Sequence, residues 1–351
     1  MNNNNMKNEY NQIENKNYNK KVIYHGIEIL RTFMSFGVVF LHFIEKKNLT
    51  NFLLKSIYNC ANFYVPTFYI ISFYFSYNMI AQRNIKKIKE RFLRLLLPYF
   101  IWPIFFWFGQ IIVYYKTTDI NINIFKTIIY QLVIGSGSYP VMWFQLDMIA
   151  NTMIFIIITF AFKDYNLNII KALHLFYYLF LQNYENLFSE YKNMRAIKYF
   201  FSSSIYCITG FYFANISLIK IINDKKDKIF LFIIPFVIIL KEKTNIFNVS
   251  KRFSVIVTEI ISTILFLFFS LLPFDKINND KIILIIKYLT RYTGGIYYIH
   301  RGVVTLLHPY IKKIFVLGNF KSIICIYLLC YFICAVGRKA FKKSKLIYLF
   351  G

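Results

Sequence analysis

The feature that most constrains this chain is the rhythm of its hydropathy. Apolar blocks of about twenty residues alternate with short Lys/Asn-rich clusters. A block of that length, wound into a helix, spans the hydrocarbon core of a bilayer and satisfies its own backbone hydrogen bonds there. The blocks fall at 22–44, 56–81, 95–115, 141–162, 165–182, 197–219, 229–240, 253–272, 282–307 and 321–337, ten in all. The expected fold class is therefore all-α, a polytopic transmembrane helical bundle of about ten spans. Two blocks are weak. The stretch 165–182 carries Lys171 and His174, and 229–240 is short for a span. The apolar stretch 122–134 is also short and reads as re-entrant or interfacial. Gly135-Ser136-Gly137-Ser138 after it lacks the Gly-Lys-Ser/Thr of a phosphate loop, so it reads as a hinge.

Composition excludes other classes. Only 17% of residues are charged and 57% are hydrophobic, with a mean hydropathy of +0.46. Soluble domains carry roughly a quarter charged residues, so a cytosolic globular protein is excluded. Lys and Arg number 42 against 16 Asp and Glu, a net +26. The bases cluster between apolar blocks, where they set orientation and touch anionic lipid, and no basic groove or nucleic-acid module is visible. No nucleic-acid partner is expected. Cys60, Cys207, Cys325, Cys330 and Cys334 all lie in apolar blocks without a CxxC pair, as buried small hydrophobes do. No metal is expected.

Residues 1–21 are polar and Asn-rich; they are expected to be a disordered tail, and no cleavable signal peptide is expected there. Residues 22–340 form one integral membrane domain, and 341–351 a basic cytoplasmic tail. Lys and Arg are concentrated in the N-terminal tail, the loop 82–94, the segment 220–228 and the C-terminus. The positive-inside rule then places both termini in the cytoplasm of a multi-pass protein of the cell membrane.

The informative residues are those that cost free energy in lipid, about 2.5–3.5 kcal/mol for a charge at the bilayer centre on insertion scales. In the first span Glu28 and Arg31 are three apart and share a face. Arg31 and His42 are eleven apart, which returns to nearly the same face about 16 Å along the axis. They are expected to line one channel at two depths. Arg91 and Arg94 sit one turn apart before Pro98, which is expected to begin or kink its span, and two such guanidiniums suit phosphates. Arg291-Tyr-Thr-Gly294-Gly295-Ile-Tyr-Tyr-Ile-His300-Arg301 combines residues that allow close helix approach with a histidine deep in the block. Asp147 and Glu259 are candidate partners for an intramembrane arginine.

Arg31 with ten residues before His42, Arg91-x-x-Arg94 before Pro98-Tyr99, Trp143-Phe144-x-Leu146 and Gly295-Ile-Tyr-Tyr-Ile-His300 follow in that order. Together they resemble acyltransferase family 3, the integral membrane O-acyltransferases, over about residues 25–337. Within that family the chain is similar to variants of surface-polysaccharide operons. These include the membrane protein of the intercellular-adhesin system, described as an exporter or a succinyltransferase. The resemblance implies a bundle of about ten helices. It moves an acyl group, acetyl or else succinyl, from cytoplasmic acyl-CoA, with acetyl-CoA the expected donor. The acceptor is a hydroxyl of an envelope polysaccharide or lipid-linked glycan. Glu28 stands where many members have Asp, Gly294 where Ser is common, and Gln145 is an extra residue in the Trp-Phe-Leu motif.

Acyl transfer to an alcohol needs a base for the hydroxyl proton and a positive group for the developing oxyanion. His42 is the expected base, Arg31 the charge stabiliser and Glu28 its holder. Arg91 and Arg94 are the expected binders of the coenzyme A phosphates, and His300 is a further substrate-binding residue. The alternative is a polysaccharide exporter without covalent chemistry, because buried charges also mark transport paths.

Overall fold

The computed structural model describes residues 25–43, 57–58, 60, 63–114, 142–162, 168–169, 172–173, 176, 195–216, 251–271, 280–314 and 320–351. These fold as helices: α1 His25–Phe43, α2 Tyr64–Ala81, α3 Ile85–Tyr114, α4 Trp143–Ala161, α5 Arg195–Asn215, α6 Lys251–Leu271, α7 Asp280–Thr290, α8 Thr293–Ile314 and α9 Phe320–Ala340, then a 3-10 helix Lys345–Phe350. The expected spans 165–182 (apart from a few positions) and 229–240, the stretch 122–134, the hinge at 135–138 and the tail 1–21 lie outside the described residues.

Among the described residues four helices are long and apolar enough to cross a membrane: His25–Phe43, Ile85–Gly109, Trp143–Ala161 and Phe320–Ala340. The count of about ten is thus met only in part, for physical reasons visible in the sequence. The block 282–307 breaks at Arg291–Tyr292 into an 11-residue α7 and a 22-residue α8. α2 has Tyr, Ser and Asn interspersed among its apolar residues, which lowers its hydropathy. The bundle still presents hydrocarbon outward: Phe105, Ile157 and Phe332, on three different helices, are 63–64% exposed. Faces of that kind suit lipid and not water.

α1 lies at the centre, in contact with α2, α6, α7, α8 and α9. It buries Ile27, Leu30, Met34 and Val38, a stripe at helical spacing. Small residues set the closest approaches. A Cβ on Gly210 of α5 would fall 2.2 Å from the Ile70 carbonyl oxygen of α2, so these two backbones touch.

Two expectations change. The loop 82–94 is helical from Ile85 onward. α2 ends in a tight reversal in which Asn84 N–H donates to Met79 O and Arg83 N–H to Ile80 O, with Arg83 at φ 52°. This is the Schellman geometry, with arginine where glycine is usual. Asn84 then caps α3 by accepting from Lys87 N–H at 3.1 Å. Of the two roles expected for Pro98, it does not begin the helix; Pro98 and Pro103 both lie inside the 30-residue α3. Just before Pro98, Gln145 Nε2 donates to the Leu95 carbonyl at 2.7 Å, which ties α4 to α3.

The basic C-terminal segment is packed into the bundle. Trp102 Nε1 donates to Leu349 O at 3.1 Å, and Leu349 and Phe350 are buried. Phe350 lies where Cβ atoms on Gly295 and Gly337 would collide with it.

Candidate functional site

Glu28 and Arg31 occupy the first two turns of α1 and pair at 3.7 Å, both side chains about one-third exposed. Arg91, on the first third of α3, is held by other helices. Its Nε donates to Thr152 Oγ1 at 3.1 Å and its Nη2 to Ser72 Oγ at 3.2 Å, and the guanidinium lies 5.2 Å over the Phe73 ring. Arg94 is freer. It pairs with Glu90 at 3.8 Å on its own helix and sits 5.3 Å over Tyr348 of the C-terminal 3-10 helix.

All three arginines, with Lys87, line one open cavity of about 630 Å³ between α1, α2, α3, α4 and α8. Residues sixty positions apart in the chain thus reach one concave, cationic surface. Such a surface suits a polyanion, because planar guanidiniums bind phosphate oxygens in pairs. Phe68, Phe144, Gly294, Tyr297 and Tyr298 make the remainder of the wall mostly apolar and aromatic.

His42 and His300 are brought together, which their separation in the sequence did not reveal. Their rings stack with centroids 5.1 Å apart at 29°. His300 is fully buried, and its Nδ1–H donates to Tyr297 O at 2.7 Å and Ile296 O at 3.2 Å. That bond leaves the Nε2 lone pair as the free face of the ring, and Nε2 has no hydrogen-bond partner among the described residues. His42, in the last turn of α1, is exposed. Neither histidine lines the arginine cavity. Arg31 and His42, expected along one channel, therefore stand in two places; Tyr297 lines the cavity and its ring lies 5.9 Å from that of His300.

Of the two candidate intramembrane carboxylates, Asp147 accepts from Tyr69 Oη at 3.2 Å and Glu259 accepts from Thr209 Oγ1, each a bond between two helices. The residues that sequence reasoning missed are the aromatic lining at Phe68 and Tyr297 and the contact of Tyr348 with Arg94. Aromatic side chains make up 21% of the chain, so none of these carried a signal of its own.

No curated protein and no solved structure matches the chain. A family model described as an acyltransferase domain matches residues 24–339, from the start of α1 to the end of α9, and takes in every motif placed above. The chain belongs to acyltransferase family 3 and is a membrane acyltransferase.

Proposed function

We propose that the protein is an O-acyltransferase that moves a short acyl group, acetyl first, from cytoplasmic acyl-CoA to a hydroxyl of a cell-surface or exported polysaccharide. The observation that carries this reading is the convergence of Arg31, Arg91 and Arg94 on one cavity beside a stacked histidine pair. Arg91 and Arg94 hold the phosphates of the donor, and Arg31, steadied by Glu28, orients the donor within the cavity.

His42, exposed on the stack, takes the proton of the acceptor hydroxyl. The acceptor oxygen bonds to the acyl carbon and the carbon–sulfur bond breaks. The proton held by His42 passes to the departing thiolate, so the products are the ester and free coenzyme A. His300 fixes the His42 ring from behind, its own orientation set by the two backbone carbonyls. The protein sits in the cell membrane with both termini in the cytoplasm, which puts the arginine cavity on the donor side.

Membrane vesicles from producing cells, supplied with labelled acetyl-CoA, test this directly. Label should enter the glycan fraction with the wild type and stop with His42→Ala, while membrane insertion stays intact. Glycan movement without label incorporation would instead establish an exporter.

A further inference from the structure

The segment after α9 brings two more arginines toward the rim of the arginine cavity. Its 3-10 helix, Lys345–Phe350, makes contacts on three sides. The guanidinium of Arg94, which lines the cavity, sits 5.3 Å over the Tyr348 ring. A Cβ on Gly294, also on the cavity wall, would lie 3.6 Å from the Gly351 Cα. A Cβ on Gly337 of α9 would fall 2.3 Å from the Phe350 ring. Arg338 follows Gly337 directly, so this contact fixes it beside the helix that carries Tyr348.

Arg291 approaches from the break between α7 and α8, three residues before Gly294. The ring of the next residue, Tyr292, packs on Tyr331 of α9 at 4.8 Å. Tyr331 and Arg338 are seven residues apart on that helix and so share a face. The charges of Arg291 and Arg94 both act on Arg338.

Nothing on the protein balances this group. Among the described residues Arg338 and Arg291 enter no ion pair, and the Arg338 Nε–H has no hydrogen-bond partner. Glu90 answers Arg94 alone, at 3.8 Å. Two positive charges are therefore left uncompensated where like charges repel. A phosphomonoester carries about −1.5 to −2 near neutral pH and offers three acceptor oxygens, and guanidiniums bind such oxygens in pairs. It matches the surplus in both charge and hydrogen-bonding capacity.

We infer that Arg338, with Arg291 and Arg94, forms a phosphomonoester site at the rim of the cavity, filled by the 3′-phosphate of the coenzyme A donor. The inference rests on the acyl-CoA reading above and adds to it the residues that tell coenzyme A from its dephospho form. Coenzyme A carries a diphosphate and, on its ribose, a separate 3′-phosphate. Arg91, bonded to α2 and α4, suits the first, and the rim suits the second. A lipid with a terminal phosphate, phosphatidic acid, offers the same chemistry, and the experiment separates the two sources.

The full chain is purified in detergent, and binding of coenzyme A and of 3′-dephospho-coenzyme A is measured by calorimetry at fixed ionic strength. The wild type should bind coenzyme A about tenfold or more tightly than the dephospho form, the scale of a hydrogen bond to a charged group. Arg338→Gln should bring that ratio close to one, with the loss falling on coenzyme A. Should Arg338→Gln fail to fold, Arg291→Gln, at an exposed position, should narrow the ratio in the same sense. Lys343→Gln, exposed in the same segment, reports the general field of the basic end and should leave the ratio as it is. A ratio that survives Arg338→Gln, or that Lys343→Gln narrows as much, overturns the site. If the wild type binds both coenzymes alike, the 3′-phosphate is not the occupant, and micelles doped with phosphatidic acid decide the rest. A higher unfolding temperature for the wild type but not for Arg338→Gln keeps the site and gives it to the lipid, and no such rise overturns it. Failure of the acyl-CoA reading looks different, since the wild type then binds neither coenzyme.

Discussion

Arg91 and Arg94 belong to one motif and one helical face, yet the fold treats them differently. Arg91 bonds two hydroxyls from α4 and α2 and lies on a phenylalanine, whereas the Arg94 side chain is 62% exposed. A lysine keeps the charge and loses the planar fork. Arg91→Lys should lower stability by about 1.5–3 kcal/mol, the cost of giving up charged hydrogen bonds in a buried setting. Arg94→Lys should cost no more than about 1 kcal/mol, as exposed pairs do. Thermal unfolding in detergent measures both. At this scale the sequence was legible where contacts are local. The spacing of Glu28 and Arg31 implied a pair, and the pair is there. The stack of His42 on His300 joins the first span to the eighth helix. No helical periodicity reports such a contact, because it depends on how whole helices are arranged.

At the scale of the element, the run of bases before the third span was legible as charge and illegible as helix. Lys86, Lys87, Lys89, Glu90, Arg91 and Arg94 suppress the hydropathy signal, although all are good helix formers. The α2–α3 turn completes that helix at its start, and Arg83 is the residue to test. Its left-handed backbone is unfavourable for any residue with a Cβ, by about 1–2 kcal/mol. Its side chain compensates by donating to the Thr159 and Phe160 carbonyls at the end of α4. Arg83→Ala keeps the backbone cost and loses those bonds, so it should melt below the wild type. Arg83→Gly, free of the backbone cost, should melt about 1 kcal/mol above the alanine variant. The C-terminal 3-10 helix offers a second test. Phe350 fills a slot beside Gly295, Gly337 and Trp102, so Phe350→Ala should cost about 3–5 kcal/mol of stability by emptying it. Tyr348→Leu keeps apolar bulk and removes the ring beneath Arg94. It should raise the KM for acetyl-CoA by about two- to fivefold, which corresponds to a cation–π contact worth roughly 0.5–1 kcal/mol.

At the scale of the whole molecule, the packed C-terminal segment gives the positive-inside rule a structural basis it lacked as a count of charges along the chain. The contact of Arg94 with Tyr348 brings the basic start of α3 and the basic run after α9 to one end of the bundle. Arg31 and Lys87 open onto the cavity at that same end. Cytoplasmic loops gather Lys and Arg, so the cavity mouth should face the cytoplasm, where the proposed donor is made. Lys343 is exposed and lies five residues before Tyr348, the partner of Arg94, which makes Lys343→Cys a reporter of orientation. A membrane-impermeant maleimide should label it in inverted vesicles and leave it unlabelled in intact cells, with the wild-type protein as the blank for the native cysteines. Labelling in intact cells would turn the arginine cavity outward. A phosphate-binding surface facing away from the cytoplasm has no access to acyl-CoA, so the donor assignment and the direction of acyl movement would both have to be abandoned, even though every contact within the bundle stayed the same.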